Sequence, residues 1–558
     1  MRKTSIKSKF LWGIVIAIFV FSWAIADEKT DKVDKLFAQW DSTSSPGAAL
    51  AIIKDGEIFY ERGYGVADLE RNIIMTANSI FDIGSCSKQF TAACVALLAQ
   101  EGKISLDDDV RKFIPEMPRY ERPITVRHLI HHTSGIRDYI ELLSLAGYTV
   151  NGDCPTIEET IEMVARQKRL NFLPGEEWLY SNSGYFLLST IVERVSGKSL
   201  NDFAQERIFM PLGMRNTHFH DNHTLIVKNR AIGYSPAKNG FTIEMSNWEH
   251  TGDGALLTTV EDLFLWDQAF YNNRLGKELM DLLQTPGALK SGKKLDYAFG
   301  LRVGEYRGLK TIGHSGSWAG YKAGMIRFPE QNFSVICLSN LSTMNPSSLC
   351  MKIADIYLAD QLKEEPLKRP KEKIIPVKLA KEELEDKAGN YQDKKLGTWV
   401  TVSVKDEKLK INISGQEFLL SPASQTSFQA LDEPVDISLD FAPEIKGKPR
   451  EAKLTMRGGE AISLIKAAQI GALTPAQLKE YSGDYKSDEL GVIYKVVIKE
   501  GALFFKYRNS PKEGLKAMAP DQFTLRGRNI DFFRSKKDRI AGFRLTVGRA
   551  ANIEFIKR

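Results

Sequence analysis

Cysteine is scarce in this 558-residue chain: there are five, an odd number, at Cys86, Cys94, Cys154, Cys337 and Cys350. So few in so long a chain excludes a fold built on a disulfide framework. Cys86 and Cys94, if both stand on one helix, are separated by about 12 Å of rise, beyond disulfide reach. Zinc-type Cys/His spacing is also missing. The one tight histidine group, His128, His131 and His132 in ITVRHLIHHTSGI, puts His128 and His132 on one helix face at i, i+4. It lacks the glutamate of an HExxH site, so no metal is expected there. A large excess of charge of one sign is missing too. The first 26 residues carry four of the positive charges behind a formal net of +6, which leaves +2 on the remainder. That balance excludes a nucleic-acid footprint.

Long apolar runs are absent except for Phe10 to Ala24, which is shorter than the roughly 20 residues a spanning helix needs. It follows Arg2, Lys3, Lys7 and Lys9 and precedes Ala24-Ile25-Ala26, the layout of a secretory signal cut after Ala26. The expectation is export to the periplasm or the extracellular space, with membrane association only if the signal stays uncleaved. No cysteine near the cut supports a lipid anchor.

What is present is enough apolar and aromatic material for two or three folded units. GAALAII, Lys54-Asp55-Gly56 and EIFYERGYG read as a strand, a tight turn and a second strand. Gln89–Gln100, Asn182–Val195, Val260–Tyr271 and Asn345–Leu362 show helical spacing, and Tyr321–Phe328 and Phe333–Leu338 read as strands. A hairpin at each end with helices between predicts an α+β fold, an antiparallel sheet flanked by helices. Lysine and proline dominate 363–381, which reads as a linker after a domain over 27–362. Beyond it Leu384, Gly389, Tyr391, Val402 and Leu409 recur 94 residues later as Leu478, Gly483, Tyr485, Val496 and Leu503. Two copies of a small antiparallel β-barrel are predicted, over 382–468 and 472–558.

Chemistry concentrates in FDIGSCSKQF, where Ser85, Cys86 and Ser87 stand side by side before Lys88. Lys88 lies one helical turn from Ser85, at a predicted helix start whose field favours a deprotonated amine and a developing oxyanion. A serine hydroxyl needs such a base. Ser235–Lys238, Ser291–Lys294 and Ser463–Lys466 match Ser-x-x-Lys as well, but in loops or a barrel strand. Ser87 and Cys86 have no lysine three residues on.

With FDIGSCSKQFTAA, ITVRHLIHHTSGI, FLPGEEWLYSNSGYFLL, MPLGMRNTHF, GALLTTVEDLFLW and GHSGSWAGYKAGMIRFP in order, Trp40 to Leu362 resembles the serine β-lactamase and penicillin-binding-protein superfamily in its class C-like branch. The resemblance implies a β-lactamase/DD-peptidase-like domain, and the two lipocalin-like barrels behind it resemble the layout of bacterial D-aminopeptidases. It implies Ser85 as nucleophile, Lys88 and Tyr180 as proton carriers, Asn182 on the substrate amide, and His314 and Gly316 on the motif strand. The backbone N–H groups of Ser85 and Ser317 would form the oxyanion hole. Tyr271-Asn272-Asn273, His250-Thr251-Gly252 and Lys290-Ser291-Gly292 match the same letters in less fitting contexts. Histidine at 314, where many β-lactamases carry lysine, points away from antibiotic hydrolysis, although a charged imidazole could hold a carboxylate. The implied reaction is acyl transfer from small D-amino-acid amides, peptides or esters. The alternatives are a β-lactamase or small-ester esterase, or a slow-turnover penicillin-binding sensor that holds β-lactams or cell-wall fragments. Glu513 or Asp521, near a loop of the last barrel, is a candidate partner for a substrate amine.

Overall fold

The computed structural model describes residues 28–364, 377–394, 397–413, 415–430, 436–456, 461–507 and 513–558. The expected signal, most of the expected linker and residues 508–512 of the last-barrel loop lie outside them. The chain forms two compact units. The first comprises the described residues up to Ile136, Tyr148–Ala165, and Phe172 onward to residue 364. The second takes Arg137–Gly147, Arg166–Asn171 and everything from residue 377.

In the first unit the opening hairpin forms as predicted, from β1 (Ala48–Lys54) and β2 (Glu57–Tyr64). Asp55 and Gly56 both have positive φ, 53° and 85°, as a two-residue turn matched to strand twist requires. The remaining strands come from the far end of the unit: β3 (Arg302–Tyr306), β4 (Leu309–Trp318), β5 (Tyr321–Phe328) and β6 (Phe333–Ser339). Their order is β3-β4-β5-β6-β1-β2, antiparallel throughout. β1 is buried along both faces except at Lys54, because helices cover the sheet on each side. Val33 and Phe37 of helix 28–37 pack with Leu349 and Ile353 of helix Pro346–Tyr357 against Ile52 and Val335. That last helix ends at Tyr357, five residues earlier than its apolar spacing predicts; Leu358 already leaves helical φ at −106°.

β4 matters most for the site. Residues 309–313 pair with β3 on one side and, from Ile312, with β5 on the other. From His314 to Trp318 only the β5 side is paired, so the strand expected at a sheet edge is an edge in its second half alone. A small sheet of Phe81–Asp82, Leu256–Thr258 and His218–Phe219 anchors the chain just before Ser85.

In the second unit the sequence repeat appears as a structural repeat. Gly389 pairs with Val402 and Gly483 with Val496, both glycines at φ 142°. Tyr391 Oη donates to Lys387 O and Tyr485 Oη to Tyr481 O, 2.8 and 2.6 Å, so each copy ties its first strand to a preceding helix. Leu384, Leu409, Phe428 and Leu454 are buried, as are their counterparts Leu478, Leu503, Phe523 and Leu545. The first copy is a closed eight-stranded barrel. The second is a nine-stranded sheet whose two end strands, Glu513–Gly514 and Lys516–Ala519, are joined through Leu515. It is nearly closed rather than closed.

Candidate active site

Ser85 lies in a 3-10 turn, Gly84–Ser87, that runs straight into helix α1, Lys88–Gln100. Asp82 Oδ1 accepts from Gly84 N at 2.8 Å, and Ser87 Oγ donates to Gly84 O at 2.5 Å, so both ends of the turn are pinned. Burial raises the Asp82 carboxyl to about 6. The turn lies against the unpaired half of β4. A Cβ on Gly84, at φ 49°, would stand 2.7 Å from Ser317 N, and one on Gly316 would stand 1.8 Å from Ile83 O. Only glycine permits this approach, and it brings the main chain beside Ser85 up to that of Ser317.

Of the three neighbours, Ser85 alone is partly exposed. Ser87 is used up in the turn. Cys86 is buried, its Sγ donates to His314 O at 3.3 Å, and burial pushes the thiol up to about 12, which makes it inert. The ammonium group of Lys88 is fully buried and has three partners. Nζ donates to Ser85 Oγ at 3.1 Å, to Asn182 Oδ1 at 2.9 Å and to Asp253 O at 2.6 Å. The Asn182 and Asp253 oxygens can only accept, so they fix two of the nitrogen's substituents as N–H. The third direction, toward Ser85 Oγ, is an N–H in the ammonium and a lone pair in the amine. That is the geometry of a base on a hydroxyl.

Tyr180-Ser181-Asn182 leads into helix α2, Asn182–Ser196, as the sequence predicts. Lys88 Nζ sits 4.9 Å from the centre of the Tyr180 ring. Asn182, expected on the substrate, is also a holder of Lys88. The competing letters fall elsewhere. Tyr271 stands half-buried at the end of helix Val260–Asn272, with burial raising its phenol to about 12. Lys290-Ser291-Gly292 is an exposed loop. Ser463 is on a barrel strand, and Ser235 is on a short strand, Tyr234–Ala237, rather than in a loop.

His314 departs from expectation. Its Nδ1 lies 2.6 Å from Ser315 O and its Nε2 3.0 Å from Tyr297 Oη. A carbonyl only accepts, so Nδ1 carries the proton and Nε2 accepts from the tyrosine. Burial, with Lys88 nearby, lowers its pKa to about 3. The imidazole is therefore neutral and cannot supply the charge for a substrate carboxylate. Lys322, on the same hairpin, bonds Ser317 Oγ through its Nζ at 2.5 Å.

The histidine cluster is also corrected. Helix Val126–Ile130 stops before His132, which has φ 57°, so His128 and His132 do not share a helix face. Each histidine does something separate. His128 Nδ1 caps that helix by accepting from Thr125 N, and His131 Nδ1 reaches Tyr297 O. His132 grips the segment that carries Tyr180: its carbonyl accepts from Leu179 N at 3.0 Å and its Nδ1 from Ser181 N at 3.1 Å. Its ring centre lies 4.2 Å from that of Tyr180, among Trp178, Tyr185 and Tyr297. Accepting at Nδ1 leaves the proton on Nε2, which is buried with no hydrogen-bond partner among the described residues. The positive φ and the unpaired donor are both costs, and such costs gather at functional sites.

Sequence reading missed His132 and Asp253. The signal for Asp253 was the HTGDGALLTT block: Thr91 Oγ1 bonds Gly252 O, His250 Nε2 lies 2.7 Å from Thr160 Oγ1, and the next carbonyl holds Lys88. Glu513 and Asp521 are engaged inside their barrel, Glu513 with Arg526 and Asp521 with Arg534 and Tyr481.

With this geometry in place, the comparisons with known proteins decide the family. The Beta-lactamase family profile matches residues 33–355. The chain belongs to that family. Within it, the chain is 31% identical to penicillin-binding protein 4* of Bacillus subtilis over 422 residues, 70% of this chain and 90% of that protein. It is 30% identical to the D-aminopeptidase of Brucella anthropi over 315 residues, spanning 56% of this chain and 59% of that enzyme's length. The octameric penicillin-binding protein homologue from Pyrococcus abyssi superposes with a TM-score of 0.56 at 27% identity, covering 78% of this chain and all of that one. As a member of the Beta-lactamase family the chain is a serine hydrolase with a family α+β domain and two closed or nearly closed β-barrels in the C-terminal region of the sequence.

Proposed function

We propose that this serine hydrolase is exported and works through an acyl-enzyme on Ser85, taking small amides or peptides with a D-amino acid on the acyl side, or esters. The observation that carries this reading is the hold of Asn182 and Asp253 on Lys88, which leaves the third direction at its Nζ 3.1 Å from Ser85 Oγ. In the amine form Lys88 takes the hydroxyl proton as Ser85 attacks the carbonyl, and Tyr180, packed on the same ammonium, relays a proton to the departing nitrogen or oxygen. The backbone N–H groups of Ser85 and Ser317 meet the developing oxyanion, each donor worth about 3–4 kcal/mol in the transition state. Water then releases the acyl group, with the serine proton returned. Nothing in these steps asks for a metal or cofactor. The neutral His314 weakens the β-lactamase reading, because the imidazole offers no cation for a drug's carboxylate.

A second reading, a penicillin-binding protein that acylates and turns over slowly, draws support from the likeness to penicillin-binding protein 4* over 90% of that protein. A panel of D-alanine p-nitroanilide, its L-isomer, a short p-nitrophenyl ester, nitrocefin and a D-Ala-D-Ala peptide separates the two. The leading reading expects steady Ser85-dependent turnover on the D-anilide or the ester, with nitrocefin the slowest of the set. Stoichiometric labelling by nitrocefin with no turnover on any member would select the second reading instead.

A further inference from the structure

Outside the catalytic cleft, three side chains of the first unit that stand far apart in sequence converge. The ligand atoms of Cys154, His223 and Glu249 all lie within 4.8 Å of one another. His223 Nδ1 is 2.7 Å from Glu249 Oε1, which also accepts from His223 N at 3.1 Å. The backbone beneath them is tied independently of these side chains. Asn247 N donates to Val150 O at 3.0 Å, Asn247 Nδ2 to Asn151 O at 2.8 Å, and Trp248 Nε1 to Thr149 O at 3.1 Å. The segments carrying Cys154 and Glu249 are thus laced together before any ligand arrives.

We propose that Cys154, His223 and Glu249 form a zinc site, with water as the fourth ligand. One thiolate, one imidazole and one carboxylate is a zinc donor set and a poor one for calcium or magnesium, which take oxygen alone. Tetrahedral zinc holds such atoms roughly 3.4–3.6 Å apart. The widest separation, within 4.8 Å, therefore closes by about an ångström while the 2.7 Å His223–Glu249 contact opens, movements open to side chains that are one-third exposed, as those of His223 and Glu249 are. On binding, the Cys154 thiol releases its proton to solvent, and the His223 proton moves to Nε2 so that Nδ1 can ligate.

The site would act as a staple. Glu249 opens the segment whose Gly252 and Asp253 carbonyls hold Thr91 and Lys88, and zinc would fasten its start to the loop of Cys154. No spacing rule along the sequence finds these ligands, because they are separated by dozens of residues and meet only in the fold.

The test uses the full chain stripped with a chelator and given zinc in competition with a chromogenic chelator. One zinc per chain, a higher melting temperature with zinc, and protection of Cys154 from iodoacetamide are expected. Cobalt in place of zinc should give a thiolate-to-metal charge-transfer band. Cys154→Ser should lose that band, and Cys154→Ser and His223→Gln should each bind zinc at least about 100-fold more weakly while keeping the wild-type circular dichroism. Substoichiometric zinc, unchanged alkylation of Cys154, or full affinity in Cys154→Ser would each overturn the proposal; the alkylation arm needs no variant.

Discussion

Replacing His132 tests whether Tyr180, the proposed proton carrier, is held from behind. His132→Ala removes the Nδ1 acceptor of the Ser181 N–H, a bond of 3.1 Å in a buried site. An orphaned buried donor costs about 1–3 kcal/mol. The lost ring packing against Tyr180 and Tyr297, at 4.2 and 4.5 Å, adds about 0.5–1.5 kcal/mol per pair. Fold stability should therefore fall by several kcal/mol. The segment carrying Tyr180 would keep the Leu179 N bond to His132 O, and a displacement near 1 Å at the proposed proton carrier costs about 100-fold in rate. The assay is kcat and KM on the best substrate of the panel, alongside thermal melting. His132→Ala should lower kcat by about 10- to 100-fold with a smaller change in KM. Asparagine accepts the same N–H and tolerates the positive φ, so His132→Asn should recover most of kcat. Unchanged kcat in His132→Ala would refute this account of His132. An asparagine variant that melts like wild type yet is as slow as the alanine variant would show that the bond is not what matters.

The other predictions concern the fold around the site and the second unit. Arg137 is fully buried and pairs with Glu489 at 2.7 Å, and Glu489 also accepts from Lys168 N and Glu554 N; Glu489→Ala should cost the second unit about 3–5 kcal/mol, read as a large drop in its denaturation midpoint, and a midpoint unchanged within error would contradict that. Gly316→Ala places a Cβ 1.8 Å from Ile83 O, so kcat should fall by at least about 100-fold; retained activity would mean that turn and strand are not in contact. Burial holds His314 neutral down to about 3 and His131 and His250 down to about 4, against about 6.5 when unfolded. The unfolded chain then binds more protons in that window, so stability present above pH 6.5 is lost as pH falls; a melting temperature that stays level from pH 6.5 to 4.5 would disagree.

Local sequence rules go far here because local forces decide much of the outcome. Asp55-Gly56, Ser85 with Lys88 at i+3, and Tyr180 before a helix all carry their geometry in adjacent residues. The 94-residue repeat was visible because both copies bury the same positions. What stayed hidden depends on burial and on distant chain. The neutral state of His314 comes from desolvation and from the nearby charge of Lys88, neither of which a His-x-Gly motif reveals. His132 looked like a helix-face partner of His128 because periodicity cannot show that the helix stops at Ile130. Asp253 contributes a main-chain carbonyl, and no residue type advertises that. The assignment of Arg137–Gly147 and Arg166–Asn171 to the second unit also leaves no mark on composition, since one buried arginine against Glu489 reads in sequence as an ordinary charge.

The central claim is that Ser85, activated by Lys88, carries the acyl group. Intact-mass spectrometry after rapid quench with the ester substrate tests it most directly, with peptide mapping of the adduct. Wild type should gain one acyl mass on the peptide containing Ser85, and Ser85→Ala should gain none and lose turnover. Lys88→Ala should acylate at least about 1,000-fold more slowly, the upper part of the range for loss of a general base. An adduct on Cys86 or Ser87, or full turnover by Ser85→Ala, would contradict the account.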